Sequence, residues 1–230
     1  MSVVPLVLSV GSTVHPKVPG LADSFGWLAG AIGIATGWPQ VLRLCVGRRH
    51  EGLSLTANVL GVLYATAWLL YGVANHSTVQ VVTNILGLAG LVAILVGHLV
   101  LARPATRQWL PLLVTGLAVL LVVFSLGARP LGVTASIATI SGVAPQVLVL
   151  ARNRWAGISD AAGVSRTRWG LSCAANLLWV SYGLLVGDPV IIVNSSVITA
   201  LAAAIVVLAA EPRRLPVAGL ELEPEYAVAA

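Results

Sequence analysis

The sequence has very few charged residues. Asp, Glu, Lys and Arg make up only 9% of its 230 residues, whereas soluble domains carry about 25%. Apolar residues make up 58% of the chain, and its mean hydropathy is +0.95. Because so few polar side chains cannot cover a surface that faces water, the composition excludes an ordinary soluble domain and indicates an integral membrane protein.

Cysteine is scarce as well. The two cysteines, Cys45 and Cys173, lie within or beside apolar segments and form no CxxC pair, so neither a disulfide framework nor a zinc site is predicted. The sequence also shows no nucleophile and base pair, no metal-ligand cluster and no phosphate-binding loop. We therefore expect no enzyme activity, no metal and no cofactor.

Uncharged apolar stretches predict seven transmembrane helices, because a bilayer span needs about 20 residues. The stretch from 52 to 102 holds two spans, which are separated by the polar residues 75–78. The predicted helices are 24–46, 56–74, 78–101, 109–127, 131–151, 168–186 and 189–209. Residues 1–23 and 211–230 are predicted to form an extracytoplasmic tail and a disordered cytoplasmic tail.

The basic residues give the predicted orientation. The net charge of +5 arises mainly at the ends of apolar runs, where Lys and Arg orient helices across a bilayer. We expect the lipid bilayer as a partner and no nucleic acid. Of the 13 basic residues, only Lys17 and Arg129 lie on the less basic side, which places the N-terminus outside and the C-terminus in the cytosol. The excess of Arg over Lys, with abundant Ala, Val and Gly, favours a bacterial cell membrane.

The chain contains an internal repeat with offsets of 105 to 111 residues. Its ordered matches are Pro39-Gln40 with Pro145-Gln146, Gly52-Leu53-Ser54 with Gly157-Ile158-Ser159, Trp68 to Gly72 with Trp179 to Gly183, and Asn84 with Asn194. The repeats cover 24–101 and 131–209, and helix 109–127 links them. This single reversing helix makes the two halves parallel, and such repeats place a substrate path at their interface.

The ordered motifs resemble a known family. Each half is similar to a SemiSWEET unit, with a Pro-Gln motif late in the first helix, a basic loop ending in Gly-Ile/Leu-Ser, a Trp-x-x-Tyr-Gly motif on the second helix and an Asn on the third. Residues 24–210 as a whole resemble a SWEET sugar transporter of the PQ-loop clan. The resemblance implies facilitative transport of a small sugar by alternating access.

Each repeat carries a proline inside its first helix. Pro39 and Pro145 remove a backbone hydrogen bond, so each helix either has a static kink or hinges there. The matched positions favour a hinge, and the resemblance implies the same role. Gln40 and Gln146 follow the prolines, and their amides are candidates for bonding the freed carbonyls.

Five residues are candidates for binding the substrate. Trp68 and Trp179 lie three residues before a tyrosine on the same helix face, and their indoles are suited to the apolar face of a sugar ring. Asn84 and Asn194 either form hydrogen bonds between helices or bind hydroxyl groups of the substrate, and their match in the repeat favours the second role. Asn176 lies one turn before Trp179. Filling both Trp positions narrows the cavity and favours a monosaccharide.

The resemblance implies an outer gate made of Tyr71, Tyr182 and Asp188. Asp188 precedes Pro189 at the start of the last helix, so helix capping alone is an alternative role for its carboxylate. No acid occupies the equivalent place in the first half.

Other functions remain as alternatives. A proton-coupled transporter of an amino acid or another small polar metabolite needs a buried carboxylate, and no Asp or Glu lies at midmembrane depth in the predicted helices. His98 is the ionisable residue furthest inside a span, and we expect its side chain to extend towards the cytosolic boundary. A non-transporting receptor is a third hypothesis. The sequence leaves open whether the protein forms a homo-oligomer.

Overall fold

A computed structural model describes residues 20–48, 54–156 and 164–210. In these ranges the chain is all-helical and multi-pass, as predicted. The helices are α1 (Leu21–Cys45), α2 (Leu55–Ala74), α3 (Thr78–Ala102), α4 (Leu110–Ser125), α5 (Ala128–Trp155), α6 (Arg166–Val186) and α7 (Pro189–Leu208). A short 3-10 turn, Thr106–Gln108, precedes α4. The predicted tails before residue 20 and after 210, and the repeat match at 52–53 and 157–159, lie outside the described residues.

The helix ends differ most from the prediction in α1 and α5. Helix α1 begins at Leu21 and includes Asp23 in its first turn, where a carboxylate favours the helix N-terminus. Helix α5 begins at Ala128 and continues to Trp155, instead of spanning 131–151. Pro130 is compatible with this start, because the first turn needs no N–H partner. The predicted helix ends exclude charged residues such as Asp23, but charged residues also stabilise helix ends. The observed helices therefore include them.

Five of the described helices, α2, α3, α5, α6 and α7, are long and apolar enough to cross a membrane, and α4 is a shorter apolar helix. Helix α1 is 25 residues long and packs against α3 and α6.

The two halves have the same internal arrangement. Helix α3 lies between α1 and α2, and α7 lies between α5 and α6. The halves meet where α1 packs against α6 and α2 packs against α5. Helix α4 contacts α2 and α5, as expected for a linker. The predicted arrangement of two parallel three-helix repeats joined by one helix is therefore confirmed.

Two glycines allow each half to receive a tyrosine from the other half. A Cβ atom on Gly132 of α5 would lie 2.5 Å from Tyr71 Cε2, and one on Gly26 of α1 would lie 3.0 Å from Tyr182 Cδ2. Gly26 and Gly132 are separated by the same 106 residues as the two prolines. Both tyrosines are 3% exposed, so their rings form part of the core between the halves.

The prediction for His98 is wrong. Its side chain is only 6% exposed, and its Nδ1 atom lies 2.8 Å from Asn58 Nδ2 on α2. A polar partner on the neighbouring helix makes burial less costly than it would be for an unpaired group, and the pair joins α2 to α3.

We expect Gly132→Ala to destabilise the protein by about 1–3 kcal/mol, the usual cost of overpacking. The reason is that its new methyl group would meet both Tyr71 and Val190, the latter at 2.8 Å. Gly142→Ala on the same helix is the control, because no heavy atom lies within 4 Å of its Cβ position. The free energy of unfolding is measured in detergent by titration with SDS. Equal effects of the two substitutions would contradict the proposed packing.

Candidate functional site

A cavity of about 160 Å³ lies between the two halves. Its lining comes from five helices, α2, α3, α5, α6 and α7. The lining residues are Trp68, Gln80, Asn84, Thr139, Asn176, Trp179, Ile191, Asn194 and Ser195. All five predicted substrate-binding residues are among them, together with four that the sequence analysis did not identify. None of the nine side chains is charged.

The two tryptophans have similar surroundings but different hydrogen bonds. Each meets the tyrosine three residues later edge to face, with ring centroids 5.5 Å apart for Trp68 and 5.3 Å apart for Trp179. Trp68 Nε1 also donates to Thr139 Oγ1 at 2.9 Å, across the interface between the halves. The position on α1 equivalent to Thr139 is Gly33, which has no hydroxyl. The described residues offer Trp179 no corresponding acceptor.

Three asparagines bring amide groups to the cavity. Asn84 Nδ2 donates to the Gln80 carbonyl, and Asn176 Nδ2 donates to the Ser172 carbonyl, both at 2.8 Å. These bonds within the helix orient each amide and leave its oxygen available as an acceptor. Asn194 is 7% exposed, and its Oδ1 has no hydrogen-bond partner among the described residues.

The structure shifts one match of the repeat by one residue. Gly72 packs on Gln80 and Val81 of α3, and its mate Gly183 packs on Ile191 and Ile192 of α7, which is an offset of 111. Asn84 therefore corresponds to Ser195, and Asn194 to Thr83. The predicted equivalence of Asn84 and Asn194 is wrong, because the sequence match did not include this glycine-centred packing.

Four residues form hydrogen bonds across the halves, next to the cavity. Tyr71 Oη donates to the Asp188 carboxylate, at 2.8 and 2.9 Å from its two oxygens. Tyr182 Oη lies 2.7 Å from Ser77 Oγ. We call Tyr71, Ser77, Tyr182 and Asp188 the tyrosine clamp. The three residues predicted as an outer gate are brought together in it.

Ser77 and Asp188 also cap helices. Ser77 Oγ accepts from the Gln80 N–H at 3.3 Å, and Asp188 Oδ1 accepts from the N–H groups of Val190 and Ile191. Capping and clamping are thus combined at Asp188 and are not alternatives. The sequence analysis missed Ser77, although it occupies the first-half position 111 residues before Asp188.

A second, larger cavity lies beyond the clamp. It has a volume of about 680 Å³ and is lined by residues that include Asp23, Arg129, Tyr71, Tyr182 and Asp188. We call it the vestibule. All four clamp residues line the vestibule and none lines the central cavity, whose two tryptophans pack on the clamp tyrosines.

The predicted hinge residues lie apart from both cavities. Pro39 and Pro145 are inside α1 and α5, which continue through them without a break. Gln40 and Gln146 make no side-chain hydrogen bond within the described ranges, so the suggested bonds to the freed carbonyls are not formed. Within those ranges, no group of three or more His, Cys, Asp or Glu residues is placed to hold a metal ion.

The fold is similar to that of a known transporter. A structure described as the 3.7 Å resolution structure of a eukaryotic SWEET transporter aligns with a TM-score of 0.66 at 18% sequence identity. The alignment covers 82% of this chain and 96% of that one. At this identity the likeness shows a shared fold. No protein-family model matches the chain, and no curated protein matches it.

We expect Tyr71 and Asp188 to be energetically coupled. A hydrogen bond to a charged group contributes about 1.5–3 kcal/mol, so Tyr71→Phe and Asp188→Ala should be non-additive by about 1–2 kcal/mol in the free energy of unfolding. The double-mutant cycle cancels the lost helix cap, which is common to both backgrounds. Tyr64→Phe with Asp188→Ala is the control pair and should be additive within about 0.5 kcal/mol, because Tyr64 lies about two helical turns from Tyr71 on α2 and does not line the vestibule. Additivity in both pairs would refute the bond.

Proposed function

We propose that the protein is a facilitative transporter of a small neutral sugar, with a monosaccharide as the preferred size. The observation that carries the proposal is the uncharged cavity between the two halves, lined by two indoles and three asparagine amides and bordered on one side by the clamp. The fold shared with a SWEET transporter supports it. The volume of about 160 Å³ is below the roughly 300–1,000 Å³ of pockets for drug-sized ligands, which favours a small substrate.

The cavity lining suits a ligand with many hydroxyl groups. Asparagine oxygens accept hydrogen bonds, and the Trp179 N–H donates one. The faces of Trp68 and Trp179 are suited to the C–H face of a sugar ring. A zwitterionic amino acid fits less well, because burying unpaired charges is expensive and the lining residues supply no counter-ion.

The clamp gives the transporter its proposed gate. Each of its hydrogen bonds joins one half to the other, so separating the halves at this end breaks both. The central cavity then opens to the vestibule. Opening and closing of the two ends in alternation moves the substrate without a continuous pore. Pro39 and Pro145 are proposed as the hinges, because they lie in α1 and α5, two of the four helices that pack against the opposite half.

The charge pattern supports an orientation for this cycle. On the positive-inside rule, we propose that the clamp and vestibule face outside and that the longer basic loops face the cytosol of a bacterial cell. The acids of the described residues, Asp23 and Asp188, both lie at the starts of helices on the clamp side. Neither lies at midmembrane depth, where proton-coupling acids are usually found. Uniport is therefore the proposed mode.

Substitutions in the cavity should strongly reduce sugar transport. In proteoliposomes, we expect Asn84→Ala, Asn194→Ala and Trp179→Ala each to reduce the initial rate of radiolabelled glucose uptake by about 10-fold or more, since each removes a group worth about 1–3 kcal/mol to a buried ligand. Asn153→Ala and Trp155→Ala are matched controls, because neither residue lines the central cavity or the vestibule and Trp155 is 86% exposed. Loss of uptake in the controls, or normal uptake in the cavity variants, would contradict the assigned site.

Uptake should not respond to an imposed pH gradient. No ionisable side chain lines the central cavity, so the binding of a neutral sugar there involves no change of protonation. The measurement compares initial uptake rates with and without a gradient of about two pH units at equal sugar concentration. A rate that follows the gradient would favour proton coupling, and His98→Gln would then be the first variant to assay because this buried residue lies inside α3.

A further inference from the structure

Gln80 is the residue that lines both the central cavity and the vestibule in the described part of the chain. It lies on α3, one helical turn closer to the clamp than Asn84. The sequence analysis did not identify it, because it belongs to no repeat motif. It is nevertheless placed where a substrate must pass between the two cavities.

The side-chain oxygen of Gln80 is a buried acceptor to which no described residue donates a hydrogen bond. The residue as a whole is 3% exposed. Leaving a buried acceptor unpaired costs about 1–3 kcal/mol. Asn194 lines the same cavity, and its Oδ1 is likewise buried without a hydrogen-bond partner among the described residues. Two unpaired acceptors in one cavity indicate a ligand that brings hydrogen-bond donors.

The position equivalent to Gln80 in the second half is apolar. The glycine packing of α3 and α7 pairs Gln80 with Ile191, and both line the central cavity. A ligand therefore meets an amide from one half and a hydrocarbon side chain from the other. This difference is a means of selecting one orientation of the sugar.

Gln80 is also connected to the clamp. Its backbone N–H donates to Ser77 Oγ, and the same Ser77 oxygen lies 2.7 Å from Tyr182 Oη. Its backbone carbonyl accepts from Asn84 Nδ2. One residue thus links the clamp with an asparagine of the cavity, because Ser77 Oγ belongs both to the clamp and to the cap that holds Gln80.

We propose that Gln80 is a specificity-determining residue that accepts a hydrogen bond from one hydroxyl of the sugar through Oε1 and receives that hydroxyl first when the clamp opens. The inference rests on the proposed sugar transport and adds a contact to it. The ligand class is a neutral polyol ring, because the cavity offers amide and indole groups and no charge.

The test measures the binding of glucose and its monodeoxy analogues to the purified full-length protein by isothermal titration calorimetry. Each analogue lacks one hydroxyl. In the unaltered protein, loss of the hydroxyl that contacts Gln80 should weaken binding by about 3- to 10-fold. In Gln80→Met, glucose should bind more weakly by a similar factor and this analogue should show no further loss. Penalties for the other analogues should persist.

Gln108→Met is the matched control, since it makes the same substitution at an exposed residue that lines neither the central cavity nor the vestibule. It should keep the full pattern of penalties. An unchanged pattern in Gln80→Met, or the same change in both variants, would overturn the inference while leaving sugar transport intact. No binding of glucose or any analogue by the unaltered protein would instead refute the proposed function, and with it the role of Gln80. Gln80→Leu provides the same comparison if Gln80→Met does not fold.

Discussion

The insertion of a tyrosine from each half into the other half is the contact on which the site depends. Tyr71 packs on Gly132 and Tyr182 packs on Gly26, so each ring is held by a glycine on the first helix of the opposite repeat. Each hydroxyl then reaches a helix N-cap across the interface. Because each tryptophan packs edge to face on its tyrosine, the same contacts also position the walls of the central cavity.

The two halves share a backbone arrangement but differ in their polar partners. The residue capping the third helix is a serine in one half and an aspartate in the other. Trp68 donates a hydrogen bond to Thr139 of the second half. The position equivalent to Thr139 in the first half is Gly33, which has no hydroxyl. A symmetric cavity would bind an asymmetric sugar in two equivalent orientations. In the proposed sugar site, polar differences of this kind would favour one orientation without changing the packing of the helices, and Thr139 lies on the wall of the central cavity.

Much of the fold follows from the sequence, because apolar run length and charge position reflect the bilayer directly. The repeat then fixes the parallel halves. The residues that were missed, such as Ser77, Thr139 and Gln80, act through contacts between helices far apart in the chain, and these depend on helix rotation and axial position. The one-residue shift that pairs Asn84 with Ser195 has the same origin. Asn194 was found because buried amides are rare in apolar helices, although its repeat mate was misassigned.

The two hydrogen bonds of the clamp determine which residues meet when it closes, but their combined free energy is modest. A neutral hydrogen bond contributes about 0.5–1.5 kcal/mol net and one to a charged group about 1.5–3 kcal/mol, so the two bonds together stabilise closure by a few kcal/mol. Water in the vestibule can replace both hydrogen-bond partners when they separate, which keeps the net free energy of closure small. The proposed facilitative transport needs this balance, because shifting the open and closed populations from 1:99 to 99:1 already requires about 5.5 kcal/mol. In the proposed transport cycle, a clamp of this strength would hold one end closed, and differences of similar size in the substrate contacts would be sufficient to open it.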